Sequence, residues 1–174
     1  MKKITEIAHD YLKEITGEIA VDFTCGNGFD TYFFASHFKK VYAFDIQKMA
    51  ILNTKEKCMQ FNHIEYILDS HTHVDQYVSS FDVGMFNCGY LPHGDESITT
   101  NGEEVISALE KALPLLNKKG RLVLVLYPGF EQGEIEANKV ENYTMKLSGK
   151  IYDVCKIQIL NRNKVPYILI IDKK

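Results

Sequence analysis

A chain of 174 residues, 45% hydrophobic and 25% charged, has the composition of a packed globule and excludes a disordered or fibrous chain. A net charge of −3 excludes the overall basic character of a protein that coats nucleic acid, so any basic footprint must be local, at Lys39–Lys40, Lys118–Lys119–Arg121 or Arg162–Lys164. Cys25, Cys58, Cys88 and Cys155 form no CxxC pair and suit neither a disulfide framework nor a zinc knuckle, and no apolar run approaches membrane-spanning length, so one cytoplasmic domain over 1–174 with no membrane partner is expected.

Ile4, Ile7, Ala8, Tyr11, Leu12 and Ile15 recur at helical spacing, which predicts an amphipathic helix over 4–15, stopped by Gly17. EIAVDFT (18–24) reads as a strand, followed by a turn through Gly26 and Gly28 into a helix reaching Phe38. VYAFDI (41–46) is the second strand, a weaker helix covers 48–59, and IEYIL (64–68) and FDVGMFN (81–87) are the third and fourth strands. Thr100 and Glu103 form a capping box for the next helix, which Pro114 ends or kinks. RLVLVLY (121–127) is apolar on both faces, as in the middle of a parallel sheet, and a polar helix follows over 132–147. The last two strands, YDVCKIQIL and PYILIID, are separated by only NRNKV, too short for a parallel crossover, so they must pair antiparallel. The order specifies an α/β, doubly wound, mostly parallel seven-stranded sheet with an antiparallel C-terminal hairpin. Such a Rossmann-like sheet with one reversed strand resembles the class I S-adenosylmethionine (SAM) methyltransferases.

Ligands of open α/β sheets sit beyond the carboxyl ends of the strands, and four such ends carry suggestive residues. VDFTCGNG (21–28) places Asp22 before a Gly-x-Gly turn; Thr31 stands where a dinucleotide fingerprint has its third glycine, which counts against NAD(P). A shorter loop suits SAM, with the helix N-terminus toward a carboxylate and Asp22 toward an amine, directly or through water. Asp45 is placed to accept from ribose hydroxyls or to cap a helix, and Asp69 to accept from an adenine amine or, again, to cap. His71 and His73 lack a paired third ligand, so no metal is expected. Asn87 ends the fourth strand, and Asn87 with Tyr90 in NCGY has the spacing for holding an amine and stacking a base. A rigid loop with Tyr90 as a packed lid is the structural alternative.

DFTCGNGFDT (22–31), FDIQ (44–47), NCGYLPHGDESITT (87–100), YPG (127–129) and VPYILIID (165–172) together resemble one family over nearly the whole chain. It comprises small bacterial methyltransferases once filed as rRNA methylases and now assigned to the tRNA wobble uridine, where they methylate the 5-aminomethyl group. The resemblance implies SAM as cofactor, held by Asp22, Gly26, Asn27, Gly28, Asp45, Gln47, Asp69, His71 and Asn87. It implies Asn87, Tyr90 and Asp95 as catalytic residues, and Gly89, Tyr90, Leu91, Pro92, His93, Ser97, Thr99 and Tyr127 at the substrate. The implied partner is tRNA, through its anticodon stem-loop. His93-Gly94-Asp95-Glu96 departs from the family's Gly-Gly-Asp-Lys, Tyr127-Pro128-Gly129-Phe130 from His-Pro-Gly-Gly, and Val165-Pro166 from Pro-Pro. These departures bear on RNA contacts more than on the cofactor.

An alkylamine is mostly protonated at neutral pH, so the site must select or create its neutral form, and desolvation beside a cationic sulfonium favours loss of the proton. The uncharged Asn87 positions N–H groups without holding the ammonium; His93 and Asp95 are the candidate proton acceptors after transfer, with Tyr127 a weaker one. Alternatives are a SAM enzyme of rRNA or of a small amine, a non-catalytic SAM-binding module, and a dinucleotide oxidoreductase. A chain of this length leaves no room for an appended RNA-binding domain, so a homodimer presenting two basic edges is the expected way to enlarge the RNA surface.

Overall fold

The computed structural model describes residues 2–89 and 101–174. Seven strands form one sheet in the order β3-β2-β1-β4-β5-β7-β6. They are β1 (Ile19–Asp22), β2 (Lys40–Asp45), β3 (Ile64–Leu68), β4 (Phe81–Cys88), β5 (Leu116–Leu126), β6 (Tyr152–Ile157) and β7 (Tyr167–Lys173). β1 pairs in parallel with β2 and β4, whereas β7 lies antiparallel between β5 and β6. This is the doubly wound sheet with a reversed hairpin that the element order predicts. The chain winds outward from β1 in both directions, so the switch point lies between β1 and β4, and a cleft must open at their carboxyl ends.

Strand alternation divides the core. Leu122, Leu124 and Leu126 of β5 face the same side as Leu169 and Ile171 of β7, under α5 (Gly102–Leu115) and α6 (Glu131–Thr144). Val123, Val125, Ile168 and Ile170 face the other side, with Ala8 and Leu12 of α1 (Ile4–Leu12) and Phe34 and Ala35 of α2 (Phe29–His37). α3 (Lys48–Lys57) and the one-turn α4 (Val74–Tyr77) complete the helices among the described residues. No helix of the described residues is long and apolar enough to cross a membrane.

Several element ends differ from the sequence expectation. α1 stops at Leu12, where the cap amide of Lys13 bonds back to His9, although apolar spacing continues to Ile15. α5 is capped by Asn101, whose side chain accepts from the Glu103 amide, in place of the Thr100 box; Thr100 lies outside the described residues. Pro114 sits in the last turn of α5, one residue before its end, so the helix stops just beyond it. β5 begins at Leu116, five residues before the apolar run, because pairing with Phe81 recruits the polar stretch. A 3₁₀ turn (His71–His73) and α4 fill the connection from β3 to β4, too short to show a period.

Under the cleft lies an aromatic stack. Phe23 and Phe86 are parallel at 4.1 Å, Phe44 lies 6.3 Å from Phe23, and all three are fully buried. Phe86→Ala should therefore lower the free energy of unfolding by about 3–5 kcal/mol, read from urea denaturation; a loss below about 1 kcal/mol would show that the stack does not support the cleft floor.

Candidate active site

The ladder of β1 ends at Asp22, and the next residues run outward as a loop that needs new hydrogen-bond partners. The Phe23 amide donates to Met85 O and the Cys25 amide to Phe44 O, which pins the loop between β4 and β2. Gly26 and Gly28 then take positive φ, 51° and 79°, and a Cβ on Gly28 would stand 2.8 Å from Thr54 Cα. Asn53 Nδ2 donates to Asn27 Oδ1 at 3.0 Å, and Thr54 Oγ1 donates to Gly26 O at 3.2 Å, so α3 clamps the turn from outside.

This turn forms one wall of a cavity of about 830 Å³, a volume in the range of small-molecule and cofactor sites. Asp45, Ile46 and Gln47 after β2, Ser70 and His71 after β3, Asn87 and Gly89 at β4, and Tyr127 after β5 supply other walls. Asp45 is fixed by the Gly26 amide at 3.0 Å and the Gln47 amide at 2.9 Å, one on each oxygen. Each oxygen keeps lone-pair capacity for a further donor. Burial raises the Asp45 pKa, and the two amides oppose that rise. His71 Nδ1 lies 3.1 Å from Phe23 O, so Nδ1 carries the proton and Nε2 is a bare acceptor. That Nε2 is buried without a hydrogen-bond partner among the described residues, and burial lowers the His71 pKa, which keeps the ring neutral.

Gly26, Asn27, Asp45, Gln47, His71, Asn87, Gly89 and Tyr127 thus lie together on the cavity wall, as the sequence reading groups them. Asp22, Gly28 and Asp69 do not line it. Asp22 has no exposed surface, and its oxygens accept from the Thr24 amide at 3.1 Å and the Thr31 hydroxyl at 2.5 Å. These two bonds clamp the loop from within. Asp69 is occupied with the Ser70 amide, His73 Nδ1 at 2.9 Å and the Tyr77 hydroxyl at 2.8 Å, and from this strand end it is Ser70 and His71 that line the cavity. Its bond to His73, then that to Tyr77, hold the Asp69 pKa low. Tyr90, Leu91, Pro92, His93, Asp95, Ser97 and Thr99 lie outside the described residues. Among the described residues no group of three or more His, Cys, Asp or Glu side chains is placed to hold a metal ion.

Asn87 is held on three sides. Its amide N–H donates to Thr24 Oγ1 at 2.8 Å, Tyr127 donates to Oδ1 at 2.8 Å, and Nδ2 donates to Asp30 Oδ2 at 3.0 Å. Burial, then the nearby Asp30 charge, push the Tyr127 pKa up to about 12, so the phenol remains a donor at neutral pH. Asp30 continues to His9 Nε2 at 2.7 Å, and the His9 ring stacks on Phe33 with centroids 4.0 Å apart. The sequence reading missed His9, Thr24 and Asp30. The only signal for Asp30 was an acid in the first turn of a helix, which reads equally as a partner of the helix dipole.

Among the described residues, four carboxylates line the cavity, from Glu6, Asp30, Asp45 and Glu104, against one lysine, Lys3. A cavity with that balance attracts cations. The strand order, the Gly-Asn-Gly turn at the switch point, the acid that ends β2 and the amide near the end of β4 define a class, the Rossmann-like class I methyltransferases. Within it, the chain belongs to the family described as "Putative rRNA methylase", whose model matches residues 41–173. It is 32% identical to the chloroplastic tRNA (mnm(5)s(2)U34)-methyltransferase of Arabidopsis thaliana, over 99% of this chain and 70% of that protein. Among solved structures it resembles the rRNA-methylase of that description from Clostridium thermocellum (38% identity, TM-score 0.95, 100% of this chain and 99% of that one). It also resembles a Streptococcus mutans methyltransferase in complex with SAH (35% identity, TM-score 0.92, with the same coverage).

Asp22 gives the site a stability signature. Burial first, then the Asp30 charge, push its pKa from the ordinary 3.8 to about 8, with Thr31 and Thr24 opposing. Folding therefore takes up a proton between those values, and stability present at low pH is lost as pH rises from about 4 to about 8. Asp22→Asn, which keeps an acceptor for Thr24, should flatten that decline; Tm measured from pH 5 to 8 checks it, and parallel curves for the two proteins would refute it.

Proposed function

We propose that this chain transfers a methyl group from S-adenosyl-L-methionine to the 5-aminomethyl nitrogen of the (2-thio)uridine at the tRNA wobble position, giving 5-methylaminomethyl-(2-thio)uridine. The chain is a SAM-dependent methyltransferase; the tRNA, presented through its anticodon stem-loop in the cytoplasm, is the finer reading. What carries that reading is the Asn87 amide at the end of β4, held by Tyr127 and Asp30 on the wall of a cavity rich in carboxylates. The name of the Arabidopsis relative supplies the particular amine.

The residues fit the cofactor. The bare Nε2 of His71 suits an adenine amine, the spare lone pairs of Asp45 suit ribose hydroxyls, and the turn at Gly26 and Asn27 lets backbone approach closely. The acidic wall suits a ligand bearing positive charge. Bound there, S-adenosyl-L-methionine supplies a methyl group already activated on a cationic sulfur. The protein's task is then placement, and orienting two reactants can lower a barrier by about 7–11 kcal/mol at best. Asn87 Oδ1 keeps one lone pair beyond the Tyr127 bond, enough to accept one N–H of an amine. Because Tyr127 donates to Oδ1 and Asp30 accepts from Nδ2, the amide cannot flip to present its N–H₂ instead. Tyr90 is assigned to stacking on the base.

Asp45→Ala removes a charged acceptor and should weaken SAM binding about tenfold or more in calorimetry, with an unchanged dissociation constant refuting the ribose role. Asn87→Ala should cut kcat about a hundredfold while SAM affinity stays within a few-fold, and an unaltered kcat would remove Asn87 from the reaction. The decisive experiment is transfer from labelled SAM to tRNA carrying 5-aminomethyl-2-thiouridine, followed by nucleoside mass analysis. One added methyl on that nucleoside supports the reading. Transfer to rRNA or to a small amine instead would retain the methyltransferase and overturn the substrate.

A further inference from the structure

Asp30 is a buried carboxylate that neither the cofactor assignment nor Asn87 positioning requires as a charge. It stands in the first turn of α2, lines the cavity, and is only 6% exposed. The titratable groups facing it are His9 from α1, Asp22 from β1 and Tyr127 after β5, with the neutral Asn87 from β4. Two further carboxylates, Asp22 and Asp45, sit at the same end of the sheet. A purely structural tie between α1, α2 and β4 would be served by an amide, which hydrogen-bonds without the desolvation of an extra charge. A carboxylate is favoured when a cation arrives beside it.

We propose that Asp30 is the group that recognises the substrate's ammonium and takes its proton, with His9 as the residue that positions it. This rests on the amine reading above. His9 Nε2 donates to Oδ1, which leaves Oδ2 to accept from Asn87 Nδ2, both residues lining the cavity. The ammonium R–NH₃⁺ binds at Oδ2 and gives one proton to the carboxylate, leaving R–NH₂ beside Asn87 Oδ1. The nitrogen lone pair then forms the N–CH₃ bond as the C–S bond breaks and sulfur keeps that pair. The product leaves as R–NH₂⁺–CH₃ with S-adenosyl-L-homocysteine, and the proton on Asp30 passes to solvent. Charge and atoms balance with one proton released per turnover.

The test compares two anticodon stem-loop RNAs, one bearing 5-aminomethyl-2-thiouridine and one bearing 2-thiouridine, bound in the presence of S-adenosyl-L-homocysteine so that no turnover occurs. The wild type should prefer the aminomethyl RNA by about tenfold or more, and Asp30→Asn should erase that preference while the 2-thiouridine RNA and S-adenosyl-L-homocysteine bind within about twofold of wild type. Turnover by Asp30→Asn should recover as pH rises toward the amine's own pKa, where the free amine is already neutral. His9→Ala should reduce kcat and His9→Gln, which keeps a donor toward Oδ1, should restore it. If Asp30→Asn fails to fold, the His9 pair decides the matter. A wild-type preference that survives Asp30→Asn unchanged, or a pH-independent loss, overturns the role of Asp30 alone. Equal binding of both RNAs by the wild type, with no methyl transfer, overturns the amine reading and this inference together.

Discussion

Three carboxylates, Asp22, Asp30 and Asp45, are held at one end of the sheet around the switch point, and the site depends on keeping them there. Mutual repulsion and burial both oppose the arrangement, as the raised pKa of Asp22 records. The fold opposes that cost with directed donors: Thr24 and Thr31 on Asp22, the Gly26 and Gln47 amides on Asp45, and His9 and Asn87 on Asp30. Each carboxylate is thereby fixed in orientation before any ligand arrives. A cation entering such a site meets preorganised acceptors and relieves repulsion at once, so its binding is coupled to the stability of the empty protein.

The three acids are not equivalent. Asp22 has both oxygens engaged inside the protein and no path to the cavity, so it acts on the loop. Asp45 and Asp30 each line the cavity with spare lone pairs. The division suits a reaction that gathers two ligands, one read by hydroxyl contacts and one by its charge. The aromatic stack of Phe23, Phe44 and Phe86 beneath them gives a rigid apolar floor, which keeps the local dielectric low and the electrostatics strong.

Much of this was legible in the sequence because it was written in long patterns. The two-faced run at 121–127 and the five-residue gap before the last strand forced a buried parallel strand and an antiparallel hairpin, and the sheet has both. The Gly-x-Gly turn, the acid 23 residues beyond Asp22, and the amide near the end of β4 fell on one cavity because strand ends converge in this topology. The part not legible concerns which way a side chain is turned. An aspartate ending a strand reads alike whether it faces a ligand or a neighbour; Asp69 is drawn away by His73 and Tyr77, four and eight residues on. His9 and Asp30 are 21 residues apart on different helices, and nothing in local spacing announces that they meet.

The choice of an amide at Asn87 beside an acid at Asp30 separates two demands that one side chain would serve poorly. A single carboxylate asked to align the nitrogen as well would, once protonated, donate back to the amine's lone pair and leave it unavailable for attack. A neutral amide alone would place the free base but would do little to draw the charged form out of water. With the acid one hydrogen bond away, at 3.0 Å from Asn87 Nδ2, capture and deprotonation fall to Asp30 and alignment to Asn87. The bond between the two residues fixes the amide so that its oxygen, and not its N–H₂, is presented to the amine. The same bond that orients the amide therefore also sets how near to it the proton acceptor stands.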